Sequence, residues 1–416
     1  MKKYILIILC CLTSFPLWSY NVNMIVEHYS VDQGLPNNTV NCTLKDRDGF
    51  IWFGTWYGLC CFDGVKFKTF NKQEHDSDVP PRKIQRIVED KNGYIWVKTI
   101  DRKLYVFNKV TECFHAVYDD MKNYSENIQV IKLQNTAEGD VLLLTKDKNL
   151  LLAGVDEKGQ VTIKILFDSR DEINKHDYTL KHHVLCETEE YISWIGTDYK
   201  VSAVHKGAEL ASRPADFITS KINSGDKDSF TSFFEDGRKV WVGDRAGIFY
   251  SIDVRTGLVN RYVLSEIKGA ISNLLVTPAG YVYLSVTGQG TYEYDLAERR
   301  LQKINTEMND AMVTHAFIDQ YDKIWFHENE KALIYYDPLN HTAKRFPFTM
   351  FGKITTLYSE DAGERGLFFL SPAGEAWLFD REHAEMVYIN KLKQLSNDRA
   401  VSYTHLRAHE TDQYLV

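Results

Sequence analysis

Turn residues cut this chain into short apolar segments, and the segments come in fours. In the first set, "TVNCTLK" (39–45) reads as a strand. "DRDG" follows as a tight turn, with Gly49 where the backbone needs a positive φ. "FIWFGT" is apolar on both faces, the pattern of a strand covered from both sides. "WYG" turns the chain again. "LCCFD" and then "VKFKTF" after Gly64 alternate apolar and polar positions, as half-buried strands do. The stretch predicts four strands, a to d, joined by tight turns.

The same writing returns along the chain. Its anchor positions in strand b are Trp52, Trp96, Leu142, Trp194, Trp241, Tyr283, Trp325 and, more loosely, Phe368. Their spacings are 44, 46, 52, 47, 42, 42 and 43 residues, which makes eight copies. A period of about 40–50 residues with four strands per unit predicts an all-β chain folded as a β-propeller. One four-stranded sheet exposes two apolar faces, and radial packing of blades covers both. The anchors are therefore core residues between blades rather than a ladder for stacking ligands.

Seven blades need about 315 residues at roughly 45 each. The sequence predicts a first propeller of about seven blades over residues 25–350, with residues 351–400 as a further blade that starts a second propeller. The alternative is an eight-bladed ring. The segment "MIVEHYSVDQGLP" (24–36) reads like a strand d and is expected to complete a late blade. The last sixteen residues, 401–416, lack strand and turn signals; they read as translated adapter sequence joined after Ala400, making the chain a piece of something longer. Residues 1–20 carry two lysines and then a short apolar run, the pattern of an export signal. That run is too short to span a bilayer, so the expected location is the periplasm.

Composition narrows the function. The net charge is −8, so there is no basic footprint for nucleic acid. Aromatic residues make up 13%, in keeping with strands. Beyond the leader, Cys42, Cys60, Cys61, Cys113 and Cys186 contain no CxxC pair, which leaves a zinc site without support. Cys60 and Cys61 alternate faces on strand c and read as buried small hydrophobes. No other metal site and no cofactor are expected. "EHDSD" (74–78) lacks the defined spacing and turn of a calcium loop, His182 and His183 point apart on an extended chain, and His405 with His409, four apart and so on one face if helical, have no third ligand.

The stretch "DRDGFIWFGTWYGLCCFD" resembles the two-component regulator propeller repeat almost position by position, and "HYSVDQGLPNNTV" before it resembles the entry segment of such sensors. The resemblance covers residues 26–390, strongest in copies one, two and seven. It implies the N-terminal periplasmic sensor part of a hybrid two-component system, a sensor histidine kinase and response regulator. It further implies an oligosaccharide ligand, control of polysaccharide-use genes, and a homodimer held in the inner membrane by a helix beyond this chain. The kinase half is not in this sequence, so the chain itself is expected to be no enzyme.

The strand order sorts the loops. Turns a–b and c–d share one end, and they are short. Turns b–c and the long d–a connections share the other, where variable loops on a rigid scaffold carry recognition. The b–c turns offer Trp56 and Tyr57; Asp101 and Arg102; Asp198, Tyr199 and Lys200; Asp244 and Arg245; and His327 and Glu328. Aromatic faces beside charged groups suit sugars. The ligand-binding candidates are Trp56, Tyr57, Arg102, Tyr199, Lys200, Arg245, His327 and Glu328. Two other readings use the same end: a propeller enzyme acting on glycans, and a scaffold that binds a protein. A glycosidase needs two carboxylates about 5–10 Å apart in a cleft, whereas most acids here sit in a–b turns.

Overall fold

The computed structural model describes residues 29–70, 80–122, 129–146, 149–167, 180–188, 190–196, 200–207, 217–221, 230–304, 313–328, 331–351, 358–361, 366–371 and 375–391. They form eight four-stranded antiparallel sheets, each a meander with its strands in chain order. In blade 1 the strands are Val40–Lys45, Ile51–Thr55, Gly58–Phe62 and Phe67–Phe70. Blades 2 to 8 occupy residues 84–116, 130–167, 180–221, 230–262, 271–303, 313–347 and 358–391. The chain is thus the all-β propeller that its period predicts. Gly49 adopts φ 90°, as its turn requires. His182 and His183 fall inside strand a of blade 4 (Leu180–Glu187), not in a loop. Among the described residues no helix is long and apolar enough to cross a membrane.

The apolar faces of the sheets meet pairwise. Seven hydrophobic clusters join the eight sheets, one cluster to each consecutive pair. Strand b explains why it is apolar on both sides. In blade 2, Ile95 and Val97 face blade 1, while Trp96 faces blade 3. Trp52, Leu142, Trp241, Tyr283 and Trp325 also point to the following blade.

Each of four tryptophans is held by an aspartate at the start of its a–b turn. Asp46 Oδ1 accepts the backbone N–H of Asp48 (3.0 Å) and Phe50 (2.9 Å), and Oδ2 accepts Trp52 Nε1–H at 2.8 Å. Asp90 does the same for Asn92, Tyr94 and Trp96, and its Oδ2 also accepts Val155 N–H from blade 3 at 3.2 Å. Asp236 holds Trp241 at 2.7 Å, and Asp319 holds Trp325 at 3.3 Å. Where the anchor has no indole, the aspartate is absent too. Thr136 precedes Leu142 and Thr277 precedes Tyr283, and each hydroxyl only closes the turn.

Trp194 departs from the expected pattern. It is buried, but it packs with Phe167 (ring centroids 5.0 Å apart) against blade 3, the preceding blade. The turn from Thr188 to Tyr191 matches the short one from Asp236 to Lys239, with the same closing backbone bond. In blade 5 that turn places its tryptophan five residues after the turn's first residue; Trp194 comes six after Thr188. A one-residue slip turns a strand side chain to the other face. Ser193 takes the anchor position and is buried.

Two further devices stitch the blades. Strand a of several blades carries a bulge near its start. The polar side chain at the bulge ties to the next blade: Asn41 Nδ2 donates to Ile84 O (2.7 Å) and Thr231 Oγ1 to Ile271 O (2.6 Å). That close approach leaves room only for glycine at Gly54 and Gly243. A Cβ there would sit 2.6 Å and 2.8 Å from the Cγ2 of Ile84 and Ile271.

At the a–b and c–d end, a cation after strand c reaches back to the preceding blade. Lys109 Nζ lies 2.7 Å from Asp46, 3.2 Å from Asp48 and 2.6 Å from Glu89. Lys206 bridges Glu138 and Glu187, Arg255 pairs with Glu190, and Arg381 lies over the Tyr321 ring. Asp46, Asp48 and Glu89 are close enough to share a metal ion, but the Lys109 ammonium already bonds to all three. Burial alone would depress Lys109; its bonds to Asp46 and Glu89 outweigh that and raise its pKa above the ordinary lysine value.

On the side of blade 1 turned from blade 2, Tyr29 packs on Phe62 and Phe67. Val31–Gln33 form a 3-10 turn capped by Ser30, not a strand; residues 24–28 of the expected closing strand lie outside the described residues. Cys42, Cys60, Cys61 and Cys113 are free thiols. Burial pushes Cys42 and Cys61 to about 12 and Cys60 to about 11, so they are unreactive small hydrophobes.

Two stability predictions follow from these contacts. Asp90→Ala orphans three backbone donors and a buried indole, and urea unfolding is expected to show a loss of about 3 kcal/mol. Asp236→Ala, at an exposed turn, is expected to cost about 1 kcal/mol. Equal losses would remove burial as the reason. Lys109→Met leaves the fully buried Asp46 carboxylate without its cation and is expected to cost about 3 kcal/mol at neutral pH. Because folding raises the Lys109 pKa, its contribution is complete below the ordinary lysine value of 10.5 and fades as the pH climbs through the raised one. The gap between wild type and variant should therefore close only in strong alkali, and a gap already closing at pH 9 would contradict the assignment.

Candidate functional site

The b–c turns and d–a connections meet at the other end, and backbone bonds tie them to each other. Trp56 O accepts Lys83 N–H from the entry to blade 2 (2.9 Å). Lys83 O then accepts Ile100 N–H from the b–c turn of blade 2 (2.9 Å). Arg102 O accepts Val130 N–H at the entry to blade 3 (3.0 Å), and Gln129 O accepts Lys146 N–H (2.8 Å). Each turn is thereby fixed to the first residues of its own or the following blade. The recurrence at Thr287 to Ala270 and at Phe348 to Lys331 shows that the fold supplies it.

On this frame stand the exposed side chains. Trp56 and Tyr57 form the blade 1 turn and are 41% and 64% exposed. Thr55 Oγ1 holds that turn, accepting Tyr57 N–H and donating to Gly58 O. Lys83 Nζ lies 5.4 Å from the centroid of the Trp56 ring, a cation–π contact. Arg102 sits in the left-handed region (φ 67°) on the blade 2 turn. Its exposed neighbour Asp101 accepts a bond from Thr99 Oγ1 and pairs with Lys103. Trp56, Tyr57, Lys83 and Arg102 thus share one run of adjoining blades. Arg245 is exposed three blades further on. Asp244 beneath it is buried and accepts Ala246 and Ile248 N–H; burial raises its pKa.

Two expected turn residues are not in a turn. His327 and Glu328 are the last residues of strand b in blade 7 (Ile324–Glu328). His327 pairs across the sheet with His315, and its ring lies 5.2 Å from Phe348. Burial, and then the charge of His315, lower its pKa. Glu328 is 3% exposed and accepts two bonds from Arg345 of strand d, at 2.9 and 3.3 Å. Both residues brace the blade: strand b of blade 7 ends three residues past its tryptophan, as that of blade 1 does, so His327 and Glu328 stand at the places of Gly54 and Thr55, inside the sheet. Lys200 opens strand c of blade 4 opposite Lys221, and Tyr199 lies outside the described residues. Lys83 was missed by the sequence reading; its signal is the rigid "PPRK" (80–83) before strand a, which sets the approach to Trp56.

Comparison with known proteins adds to this geometry. No curated protein matches the chain. Among solved structures, the extracellular domain assigned to hybrid two component system BT4673 of B. thetaiotaomicron is 15% identical over 90% of this chain and 62% of its own, with a TM-score of 0.36. That of BT3049 from the same organism is 16% identical over 89% and 50%, with a TM-score of 0.36. Virginiamycin B lyase from Staphylococcus aureus is 11% identical over 73% and 94%, with a TM-score of 0.40. The chain spans about half to three-fifths of the two sensor domains. Residues 34–57, which run from the capped turn before blade 1 through Trp56 and Tyr57, match the sequence profile named Two component regulator propeller. The chain carries a two-component regulator propeller repeat in the first blade of a β-propeller.

Proposed function

We propose that this chain is the ligand-sensing part of a hybrid two-component system, exported to the periplasm, and that its ligand is an oligosaccharide bound at the b–c end. The observation that carries the reading is the match of residues 34–57 to the two-component regulator propeller, since the matched segment ends on the exposed Trp56-Tyr57 turn. The rigid arrangement supports it. An indole platform flanked by Lys83 and by Arg102 on the adjoining turn offers a flat apolar surface with charged donors beside it, which is how sugars are held. In the full protein the propeller would report occupancy to a dimeric kinase beyond a membrane helix, and so to genes for polysaccharide use.

The first test is the melting temperature of the chain against a panel of plant and host oligosaccharides. A ligand for the folded state stabilises it by about 2.7 kcal/mol at a hundredfold over Kd. One concentration-dependent shift would support the sensor and name the sugar class, whereas hydrolysis or elimination of the hit would make the chain an enzyme. Trp56→Ala and Arg245→Ala are each expected to weaken that ligand about tenfold with the melting temperature of the free protein unchanged. Unchanged affinity in both would remove this end from contention.

A further inference from the structure

Several cations elsewhere among the described residues are matched. Lys109, Lys206, Arg255, Lys323 and Arg345 each have a carboxylate within 3.0 Å. The junction of blades 2 and 3 at the b–c end is different. Arg86 in strand a (Ile84–Glu89) and Lys98 in strand b (Ile95–Thr99) are direct cross-strand partners. Like charges placed so are destabilising. Lys98 shares the face of Trp96, toward blade 3, and is only 6% exposed. Its Nζ donates to Gln85 Oε1 at 2.5 Å, which leaves two N–H bonds to satisfy. The Nε of Arg86 is buried with no partner among the described residues. Arg102 hangs over the same junction, its carbonyl on Val130 N–H. Asp101, beside Arg102 in the chain, is engaged by Thr99 and Lys103. Burial, and then the charges of Arg102 and Arg86, lower the Lys98 pKa.

The other blades show that the fold does not need this charge. At the position of Lys98, blades 1 and 5 carry Gly54 and Gly243, and blade 3 carries Leu144, each paired with strand a in the same register. A buried cation with two cationic neighbours and no counter-charge among the described residues is costly unless an anion joins it. We propose that Lys98, Arg86 and Arg102 form a binding site for one oxyanion, the carboxylate or sulfate group of an acidic sugar. This rests on the reading of the b–c end as the ligand face. Arg86 and Arg102 would supply planar donor pairs and Lys98 a buried point charge.

Lys98→Leu is the decisive variant, because Leu144 shows that the blade accepts leucine there, and Arg86→Gln is the second. The probes are sodium glucuronate and sodium sulfate at millimolar concentration, against sodium chloride at the same ionic strength and against neutral glucose. Wild type is expected to show a saturable rise in melting temperature with glucuronate. Both variants should need at least about tenfold more of it, and Lys98→Leu should melt higher than wild type with no anion present. A response to glucuronate alone identifies an acidic sugar, and an equal response to sulfate identifies the oxyanion itself as the recognised group. If neither probe exceeds chloride, or if Lys98→Leu responds as wild type does, the site is overturned. A neutral oligosaccharide that stabilises wild type and Lys98→Leu alike, with no anion response, overturns the oxyanion site and leaves the sensor reading standing. An anion response without any oligosaccharide response overturns the sensor reading and keeps the site.

Discussion

A single carboxylate sets the geometry of each strong blade. Asp46, Asp90 and Asp319 are nearly inaccessible, yet each is saturated by two turn amides and one indole N–H. One oxygen shapes the a–b turn, and the other fixes the indole that fills the gap to the next sheet. Turn and core are thereby set by one side chain. A buried carboxylate without those donors would be expensive, and a buried indole N–H would lack its partner. The two residues therefore occur together, and where the indole is missing a threonine closes the turn alone.

The period, the strand count and the buried anchors were legible because they are local. A strand covered on both sides must be apolar on both sides, and residues 50–55 say so. The facing of Trp194 was not legible from the anchor spacing. Whether an indole points forward or back depends on a one-residue difference between a turn and its strand, and 52 residues of spacing do not report that difference. The cations at the a–b end were readable in principle. Lys109, Lys206 and Arg381 each follow the last residue of strand c directly. Some of their acids, however, lie on the preceding blade, and only the packing brings those partners together.

The candidate binding end was legible in part for the same reason. Trp56, Tyr57, Arg102 and Arg245 stand in b–c turns because glycine or a turn-forming aspartate marks the place. His327 and Glu328 were misplaced because blade 7 has no Gly-Thr pair to mark the strand end; the two stand at the places of Gly54 and Thr55, which are strand residues in blade 1 too. Lys98 and Arg86 were passed over because a lysine in a strand reads as a solvated face. Only the register shows two cations side by side under a neighbouring blade.

The backward turn of Trp194 has a mechanical consequence. The junction between blades 3 and 4 gains a large aromatic ring, and the junction between blades 4 and 5 loses one. Among the described residues, blade 4 offers blade 5 a buried alanine, Ala203, and a half-covered Tyr191 against Phe230, Val240, Val242, Tyr250 and Ile252. A row of sheets that each grip only their neighbours parts where the grip is thinnest. Among the described residues, that seam divides the row of blades into an N-terminal block, which holds the indole platform and the unmatched cations, and a C-terminal block, which holds Arg245. A molecule spanning both blocks would act as a clasp across the seam, and its arrival would be felt as a change in stiffness rather than in shape.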